Sequence, residues 1–395
     1  MRIVALHTDF RLYWPARLKK LSSDLEQRGD ELTVVEISGK GSPYSFASKE
    51  TNADLNWICL FPNERMEDLN PKEAKTTVLQ KLDKLMPDAI LSGSIAFSSG
   101  AAAVDWAKRN DKAVVIFDDS KLEDVPRNFI VNSVKKIIYS NVDAVLCPAE
   151  DWLNTFRFWG FKKEAVFFGE DVVDNQFWTR KTTGTQELPD RYFLAVGRQI
   201  ERKNFIVLLN AFYLFRKNNP DSTYELVLVG DGPERKELEK RVPEEIKNKV
   251  HFFNFKEQEE LREIYQRASV FILPSLSEQW GLVVNEAMAA GLPVIVSKQC
   301  GCASSLVSEN QNGFLFNAGD TEQLVAVLQK INKLKDLELK NMGKKSQEII
   351  SQWDLDRFSK GAIDAVYYAV NNRRKPFYFL AKFLLNKWNG RYNQG

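Results

Sequence analysis

Two glutamates separated by seven residues are the first candidates for chemistry in this sequence. Glu278 and Glu286 lie in the stretch SEQWGLVVNEAMAAGLPVIVS, residues 277–297. A carboxylate in a helix of small and apolar residues is costly to bury unless a partner binds it. Either the two are ordinary acids at a helix start and on the surface, or they accept hydrogen bonds from hydroxyl groups such as those of a ribose and a sugar.

The same stretch offers a place for an anion. The apolar run SVFILP predicts a strand, and the polar SEQWG predicts a loop after it, in which Gly281 lets the backbone approach a ligand closely. A helix is predicted from Leu282 to Gly291. Its first amide groups have no partner within the helix and attract negative charge.

Two cations follow another predicted strand. Arg198 and Lys203 lie in VGRQIERKN, the loop after RYFLAVG. An arginine fork and a lysine point charge suit a diphosphate, although solvated charges in a loop are the alternative. In VGDGPERKE, Gly230 and Gly232 lie between a strand and a helix, but Arg235 stands where a dinucleotide fingerprint needs glycine. Two interpretations of this segment remain: it is a tight turn only, or it is a turn beside which a nucleoside passes.

The elements that carry these loops alternate between short apolar runs and helical patterns. RIVAL, LTVVEI, NWICLF, DAILSG, AVVIFDD, DAVLCP and EAVFFG predict strands in the first half, and RYFLAVG, ELVLVG, VHFFNF, SVFILP and PVIVS in the second. The polar stretch 179–190 predicts a linker. We therefore expect an α/β protein of two doubly wound Rossmann-like domains facing a cleft, 1–180 and 190–355, with helices at about 356–395 packing back on the first.

Composition narrows the class of protein. The net charge of +2 excludes the strong overall positive charge that is typical of nucleic-acid-binding proteins. Four cysteines suggest a reducing compartment. The start, MRIVALHTDF, lacks the apolar core of a signal peptide, and no run of 18 apolar residues occurs. We expect a cytoplasmic protein.

Several of these stretches together resemble one enzyme family. LPSLSEQWGLVVNEAMAAGLPVIVS is similar to the Glu-x7-Glu signature of retaining glycosyltransferases of family 4, which have the glycosyltransferase B fold. VGRQIERKN resembles the phosphate loop of that family, ELVLVGDGPERKEL and ENQNGFLF also match, and GEDVVDNQFW resembles the segment that leads to the linker. The resemblance is strong over about residues 190–350 and weaker before them.

The resemblance implies a role for each matching residue. Arg198 and Lys203 would hold the donor diphosphate and stabilise it as it leaves, Glu278 would bind the transferred sugar, and Glu286 would bind the ribose. The donor-binding set implied by the family is Gly197, Gly230, Gly232, Gly281, Leu282, Val283 and Glu286. The donor would be a UDP- or GDP-sugar, with no cofactor and no metal, and the reaction would retain the anomeric configuration.

The first domain departs from the family pattern. The loop after its first strand, HTDFRLYWPAR, lacks the usual glycines, so Arg11 and Arg17 are candidates to supply charge. Asp118 and Asp119 occupy the place of a common histidine. With His7 at a strand end, these residues are candidates for the acceptor or sugar side.

The C-terminal tail combines basic and apolar residues. RRKPFYFLAKFLLNKWNGRYNQG holds six basic residues and no acid, and FYFLAKFLLNKW is amphipathic. The segment is too short to span a bilayer. It is expected to pack on the first domain, to contact an anionic membrane surface, or to do both.

These observations predict a retaining glycosyltransferase that moves a sugar from a nucleoside diphosphate to a glycan or lipid-linked acceptor, in the synthesis of surface polysaccharide or glycolipid. Two alternatives stay open. One is a nucleotide-sugar epimerase or phosphorylase of the same fold, and the other is a non-catalytic protein that binds nucleotide sugars.

Overall fold

The computed structural model describes residues 1–40, 54–124, 126–184, 186–375 and 378–388. The chain divides into two compact units, one formed by Met1–Val172 with Leu355–Gly395 and the other by Val173–Asp354. The first unit thus ends a few residues before the predicted boundary. The reason is local: Asn175 already belongs to the second unit, where its Nδ2 donates to the carbonyl of Ile350 at 2.9 Å.

The first unit is built on a parallel sheet of seven strands in the order β3-β2-β1-β4-β5-β6-β7. Its strands are β1 (Arg2–His7), β2 (Glu31–Lys40), β3 (Asn56–Arg65), β4 (Ala89–Ser92), β5 (Ala113–Phe117), β6 (Ala144–Cys147) and β7 (Val166–Phe168). Its helices are α1 (Trp14–Glu26), α2 (Pro71–Leu85), α3 (Ser98–Arg109), α4 (Phe129–Tyr139), α5 (Leu153–Phe158), and the C-terminal pair introduced below. The central strands are buried throughout, as expected for a sheet covered on both faces.

The C-terminal part of the chain returns to this first unit. A helix at Leu355–Asn371 packs on α1 and on β4 to β7, and another at Tyr378–Lys387 packs on α3 and α4. The first of them buries Phe358, Ala362, Val366 and Ala369, a spacing of three to four residues that puts one face on the sheet.

The second unit is a parallel sheet of six strands in the order β10-β9-β8-β11-β12-β13. The strands are β8 (Tyr192–Val196), β9 (Glu225–Val229), β10 (Val250–Phe253), β11 (Val270–Leu273), β12 (Val294–Ser297) and β13 (Gly313–Phe316). Its helices are α6 (Asn175–Thr179), α7 (Phe205–Asn218), α8 (Arg235–Arg241), α9 (Gln258–Arg267), α10 (Leu282–Ala289), α11 (Ala303–Leu306), α12 (Thr321–Lys333) and α13 (Asp336–Ile350), so the C-terminal pair of the first unit becomes α14 and α15.

The strand order reverses once in each sheet, between β1 and β4 and between β8 and β11. The prediction of two doubly wound parallel sheets is confirmed, and all twelve strands expected from apolar runs are present. β13 is the exception, because its four residues, GFLF, begin with glycine and are too few to show a period.

Candidate active site

Two loops of the second unit emerge side by side where its strand order reverses. The loop after β8 carries Arg198 and Lys203, and the loop after β11 carries Glu278. β8 and β11 are neighbouring parallel strands, so both loops leave the same edge of the sheet. In open α/β sheets this edge is where ligands bind.

Lys203 and Glu278 form an ion pair across these loops. Lys203 Nζ lies 2.5 Å from Glu278 Oε2, and the side chains are 13% and 14% exposed. Ser275 Oγ donates to the same carboxylate oxygen at 3.3 Å. From the family resemblance, Lys203 was expected to bind a diphosphate and Glu278 a sugar. Here each neutralises the other while both keep some access to water.

Arg198 completes the group as an available cation. Its side chain is half-buried, and it makes no ion pair or hydrogen bond with any residue that the structure describes. Its guanidinium therefore keeps its donors for a ligand, and a planar fork of this kind matches the oxygens of a phosphate.

Asn204 holds the two loops together. Its backbone is left-handed, with φ of 57°. Its buried side-chain amide donates to the carbonyls of Pro274 at 3.0 Å and Ala318 at 2.7 Å. The amide of Leu276 in turn donates to the carbonyl of Arg202 at 2.8 Å. Sequence reasoning missed this residue, although an asparagine between a charged loop and an apolar helix is typical of a left-handed position.

The glycines after β9 are explained by backbone contact. A Cβ on Gly230 would overlap the carbonyl oxygen of Gly197, and one on Gly232 would overlap that of Gln199. The amide of Gln199 also donates to the carbonyl of Asp231 at 2.8 Å. The loops after β8 and β9 are therefore packed backbone to backbone, which supports a tight turn. Contact of these glycines with a donor stays a prediction.

The start of α10 presents amides at the same edge. Gly281 has φ of 107°, a conformation that favours glycine. Its carbonyl accepts from the amide of Val284 at 2.8 Å, so the amides of Leu282 and Val283 precede the first bond of the helix. This geometry suits an anion, and the binding of an anion there stays a prediction.

The loop that carries Glu278 is rigid. Trp280 Nε1 donates to Asn285 Oδ1 at 2.9 Å, and its ring lies 5.0 Å from that of Trp353. The carbonyl of Glu278 accepts from the amide of Gly301 at 2.9 Å. Glu278 is therefore held in place by the polypeptide on both sides of it.

Glu286 is placed differently from its sequence-based expectation. Rather than lying open to a nucleotide, its side chain is only 2% exposed, and Tyr265 Oη donates to its Oε2 at 2.8 Å. Tyr265 comes from α9, so this contact fixes α10 on α9. A carboxylate has room for further donors, and ribose binding by Glu286 stays a prediction.

The corresponding edge of the first unit is acidic and buried. Glu170 is 5% exposed, and burial raises its pKa well above the ordinary value, with a further rise from the neighbouring carboxylates. Burial also raises the pKa of Asp119, and it raises that of Asp171 to about 6 although Arg17 opposes the shift. Arg17 Nη2 lies 3.6 Å from Asp171 Oδ1, and the same guanidinium donates to the carbonyl of Val172. Arg17 thus serves the fold of this unit.

Asp118 also has internal partners. It accepts from Ser94 Oγ at 2.8 Å, from Tyr139 Oη at 2.7 Å and from the amide of Ser120 at 3.0 Å. These bonds tie the end of β5 to α4. Roles of Asp118 and Asp119 on the acceptor or sugar side stay predictions.

His7 and Arg11 lie at the end of β1. The His7 ring is surrounded by aromatic rings, with Phe117 at 5.2 Å and Phe97 at 5.6 Å between centroids. Burial lowers the pKa of His7 to about 4, so the ring is neutral near pH 7. Arg11 donates to the carbonyl of Gly39. Their acceptor-side roles stay predictions.

The cysteines, all within the described ranges, form no disulfide. Burial raises the pKa of Cys300, which makes its thiol unreactive. Over the same ranges, no three His, Cys, Asp or Glu side chains are grouped to hold a metal ion.

Part of the chain is similar to a known protein family. Residues 179–349 match the family model described as glycosyl transferases group 1. A sulfoquinovosyl transferase of Arabidopsis thaliana is 30% identical over 84% of this chain. The chain spans less than two thirds of the lengths of that protein and the next two curated relatives, at 65%, 55% and 47%.

Solved structures share the fold at low identity. A sucrose-phosphate synthase from Thermosynechococcus elongatus superposes with a TM-score of 0.71 at 20% identity, covering 91% of this chain and 97% of that one. Anabaena HepE, solved in complex with UDP-glucose, superposes with a TM-score of 0.69 at 17% identity over 93% and 99%. Both show the two-domain glycosyltransferase B architecture predicted here. The loops of the site lie inside residues 179–349, the part of the chain that matches the glycosyl transferases group 1 model.

Proposed function

We propose that this protein is a retaining glycosyltransferase of family 4 that transfers a sugar from a nucleoside diphosphate to a glycan or lipid-linked acceptor without a divalent metal. The observation that carries the proposal is the Lys203–Glu278 pair beside the available Arg198, at the strand-order reversal of the family-matched unit. The two cations and the carboxylate match the two chemically different ends of such a donor.

The diphosphate is assigned to the positive side of this group. Arg198 supplies a fork of hydrogen-bond donors and Lys203 a compact positive charge. The backbone amides of Leu282 and Val283 attract a negatively charged group to the start of α10. Donors already in place for the charge that develops on a departing phosphate are the largest usual contribution to such catalysis. Arg198 and Lys203 therefore stand in for a metal ion.

The transferred sugar is assigned to Glu278. When the donor binds, Lys203 turns from the carboxylate to the phosphate, and the freed Glu278 oxygen accepts from sugar hydroxyls. The bond from the sugar C1 to the diphosphate oxygen breaks while a bond from C1 to the acceptor oxygen forms on the same face. The acceptor proton leaves with the departing phosphate oxygen, which balances the step and retains the configuration.

Uridine is the favoured donor base, and guanosine is the alternative. Anabaena HepE, of the same fold, was solved with UDP-glucose, and the Arabidopsis relative is named as a sugar transferase. We place the reaction in surface polysaccharide or glycolipid synthesis on the cytoplasmic side of a membrane, with the basic C-terminal tail as a contact to that membrane.

Product analysis tests this proposal. The full chain is incubated with a panel of UDP- and GDP-sugars, glycan and lipid acceptors, and excess chelator, and the anomeric configuration of the product is read by NMR. Retention without added metal supports the proposal, and a need for metal contradicts it. A changed donor without acceptor indicates an epimerase, release of sugar phosphate a phosphorylase, and binding without turnover a non-catalytic protein.

A further inference from the structure

Large apolar side chains are exposed together on one part of the first unit. Among the described residues, ten large apolar side chains are exposed, and six of them belong to α15 and the first turn of α4. These six are Phe129, Ile130, Val131, Phe379, Leu380 and Phe383. Since α15 packs against α4, the two segments are neighbours. We call these six residues the docking face.

The docking face is built on well-formed helices. The Asn128 side chain caps α4 by accepting from the amide of Val131 at 2.9 Å, so the first turn that carries Phe129 is fixed. Phe129 is nevertheless 84% exposed. An amphipathic helix normally turns such residues to the core, and their exposure on an ordered turn marks a surface for interaction.

The opposite side of α15 is anchored to the protein. Ala381 and Leu385 are buried, and Trp388 Nε1 donates to the carbonyl of Ile95 at 2.7 Å. Tyr378 Oη donates to the Asp105 carboxylate at 2.5 Å. Since both ends of α15 are tied down, Phe379 and Phe383 are directed outward and are not the inner face of a detached helix.

Positive charge accompanies the apolar residues. Lys136 on α4 and Lys382 and Lys387 on α15 are exposed, and Lys387 Nζ lies 4.5 Å from the centre of the Phe383 ring. The sequence has no acid from 125 to 142 or from 365 to 395. The acids nearest to α4 along the chain are Asp124 before it and Asp143 after it, and Asp143 is buried in an ion pair with Lys108.

We infer that the docking face binds an anionic lipid bilayer, with its apolar side chains at the headgroup boundary and its lysines at the phosphates. Lysine stems reach along apolar surface while their charge stays in the polar layer. A second copy of this chain fits less well, because a symmetric contact would bring the same lysines together. Among the described residues no helix is long and apolar enough to cross a membrane.

The docking face includes residues of α4, which lies about 250 residues before the C-terminal tail in the chain. A contact through α4 is therefore additional to the membrane contact proposed for the tail. It does not depend on the transfer reaction, since α4 and α15 belong to the first unit and the donor site to the second. Its failure and the failure of the proposed function are therefore separable.

The test is flotation of the full chain with vesicles of phosphatidylcholine alone or of equal parts phosphatidylcholine and phosphatidylglycerol. We expect binding only to the anionic vesicles, and loss of binding in high salt. F129S/I130S should weaken binding at least about tenfold through lost apolar contact. K382Q/K387Q should weaken it by about fivefold for each lysine.

Matched variants keep the test specific. L337S removes an exposed apolar residue of α13, outside the docking face, and K340Q/K344Q removes two exposed lysines of the same helix. Both should bind vesicles like wild type. All variants alter exposed side chains, and unchanged thermal unfolding checks that they fold.

Three results would overturn the inference. They are an absence of flotation with anionic vesicles, equal losses in the L337S control, and self-association that F129S/I130S abolishes while vesicle binding is absent. The last result would assign the docking face to a second copy.

Discussion

The carboxyl edges of the two sheets have the same topology and opposite chemistry. In the second unit the edge at the strand reversal holds Arg198 and the Lys203–Glu278 pair, which keep access to water. In the first unit the equivalent edge gathers Glu170 and Asp171, which are buried and whose pKa values are raised.

The comparison separates what the fold determines from what the loops determine. Strand order places an edge where a ligand can bind, but the residues that follow each strand decide what charge it accepts. An edge with a spare guanidinium attracts a diphosphate. At the acidic edge of the first unit, Arg17 is instead paired with Asp171.

The largest expected effect is on turnover when Arg198 is replaced. Arg198→Ala should lower kcat by a hundredfold or more, as loss of one donor to a developing negative charge commonly does. Thermal stability should not change, because this side chain has no internal partner among the described residues. Steady-state kinetics and thermal unfolding measure the two effects.

Arg241→Ala is the control, since Arg241 is exposed and, among the described residues, its ion pair is with the exposed Glu237. Turnover of that variant should match wild type. Equal losses in the two variants would remove the distinction between the site cation and a surface cation.

A smaller effect, on stability, is expected at the glycine turn. Gly230→Ala should lower the free energy of unfolding by about 2 kcal/mol, because the new Cβ overlaps the backbone of Gly197. Gly319→Ala, whose Cβ meets nothing within 4 Å, should be neutral. Denaturant unfolding compares them, and equal stabilities would contradict the packed arrangement of the loops.

At the acidic edge of the first unit, a substitution should raise the free energy of unfolding and not lower it. A carboxyl group with a raised pKa keeps its proton in the folded state after the unfolded chain has lost it, so stability falls as the pH rises. For Asp171 that window runs from its ordinary pKa to about 6, and for Glu170 it begins at the ordinary pKa and runs upward. Glu170→Gln should therefore raise the free energy of unfolding at pH 7 by about 1 kcal/mol.

The same variant should flatten the fall in stability that occurs as the pH rises above the ordinary pKa of a glutamic acid. Exposed Glu164, in the same unit, gives the control variant Glu164→Gln, which should leave the curve unchanged. Thermal unfolding measured across pH tests this prediction. A Glu170→Gln protein less stable than wild type at pH 7 would contradict it.

The smallest effect is a gain in affinity. Glu278→Gln removes the carboxylate that neutralises Lys203, so free UDP should bind about two- to fivefold more tightly. A partly exposed ion pair of this kind is worth about 1 kcal/mol or less. Calorimetry with UDP measures it, and weaker binding of UDP would show that Glu278 does not compete for the lysine.

Much of the second unit could be predicted from its sequence. Apolar runs locate its strands because a parallel sheet buries both faces of each strand. Glu278 and Arg198 could be selected because their charges follow such runs directly. The pairing of Glu278 with Lys203 could not, since it joins residues 75 positions apart through loops whose geometry depends on Asn204 and on contacts at the sheet edge.

The first unit was harder to predict. Glu170 and Asp171 look like ordinary acids in a loop, and only the end of β7 shows that they are buried. Arg17 and Asp118 were selected as site candidates by residue type, yet their partners come from distant strands and helices. Phe129 was not selected, because the apolar pattern of α4 predicts a helix but not which of its residues the rest of the chain leaves uncovered.

The most direct test of the central claim is calorimetric titration of a UDP- or GDP-sugar into wild type, Lys203→Ala and Glu170→Gln, in excess chelator. We predict that the wild type and Glu170→Gln bind one donor with equal affinity, and that Lys203→Ala binds it at least about tenfold more weakly. Binding that survives in Lys203→Ala and is lost in Glu170→Gln would place the donor on the acidic edge and contradict the account.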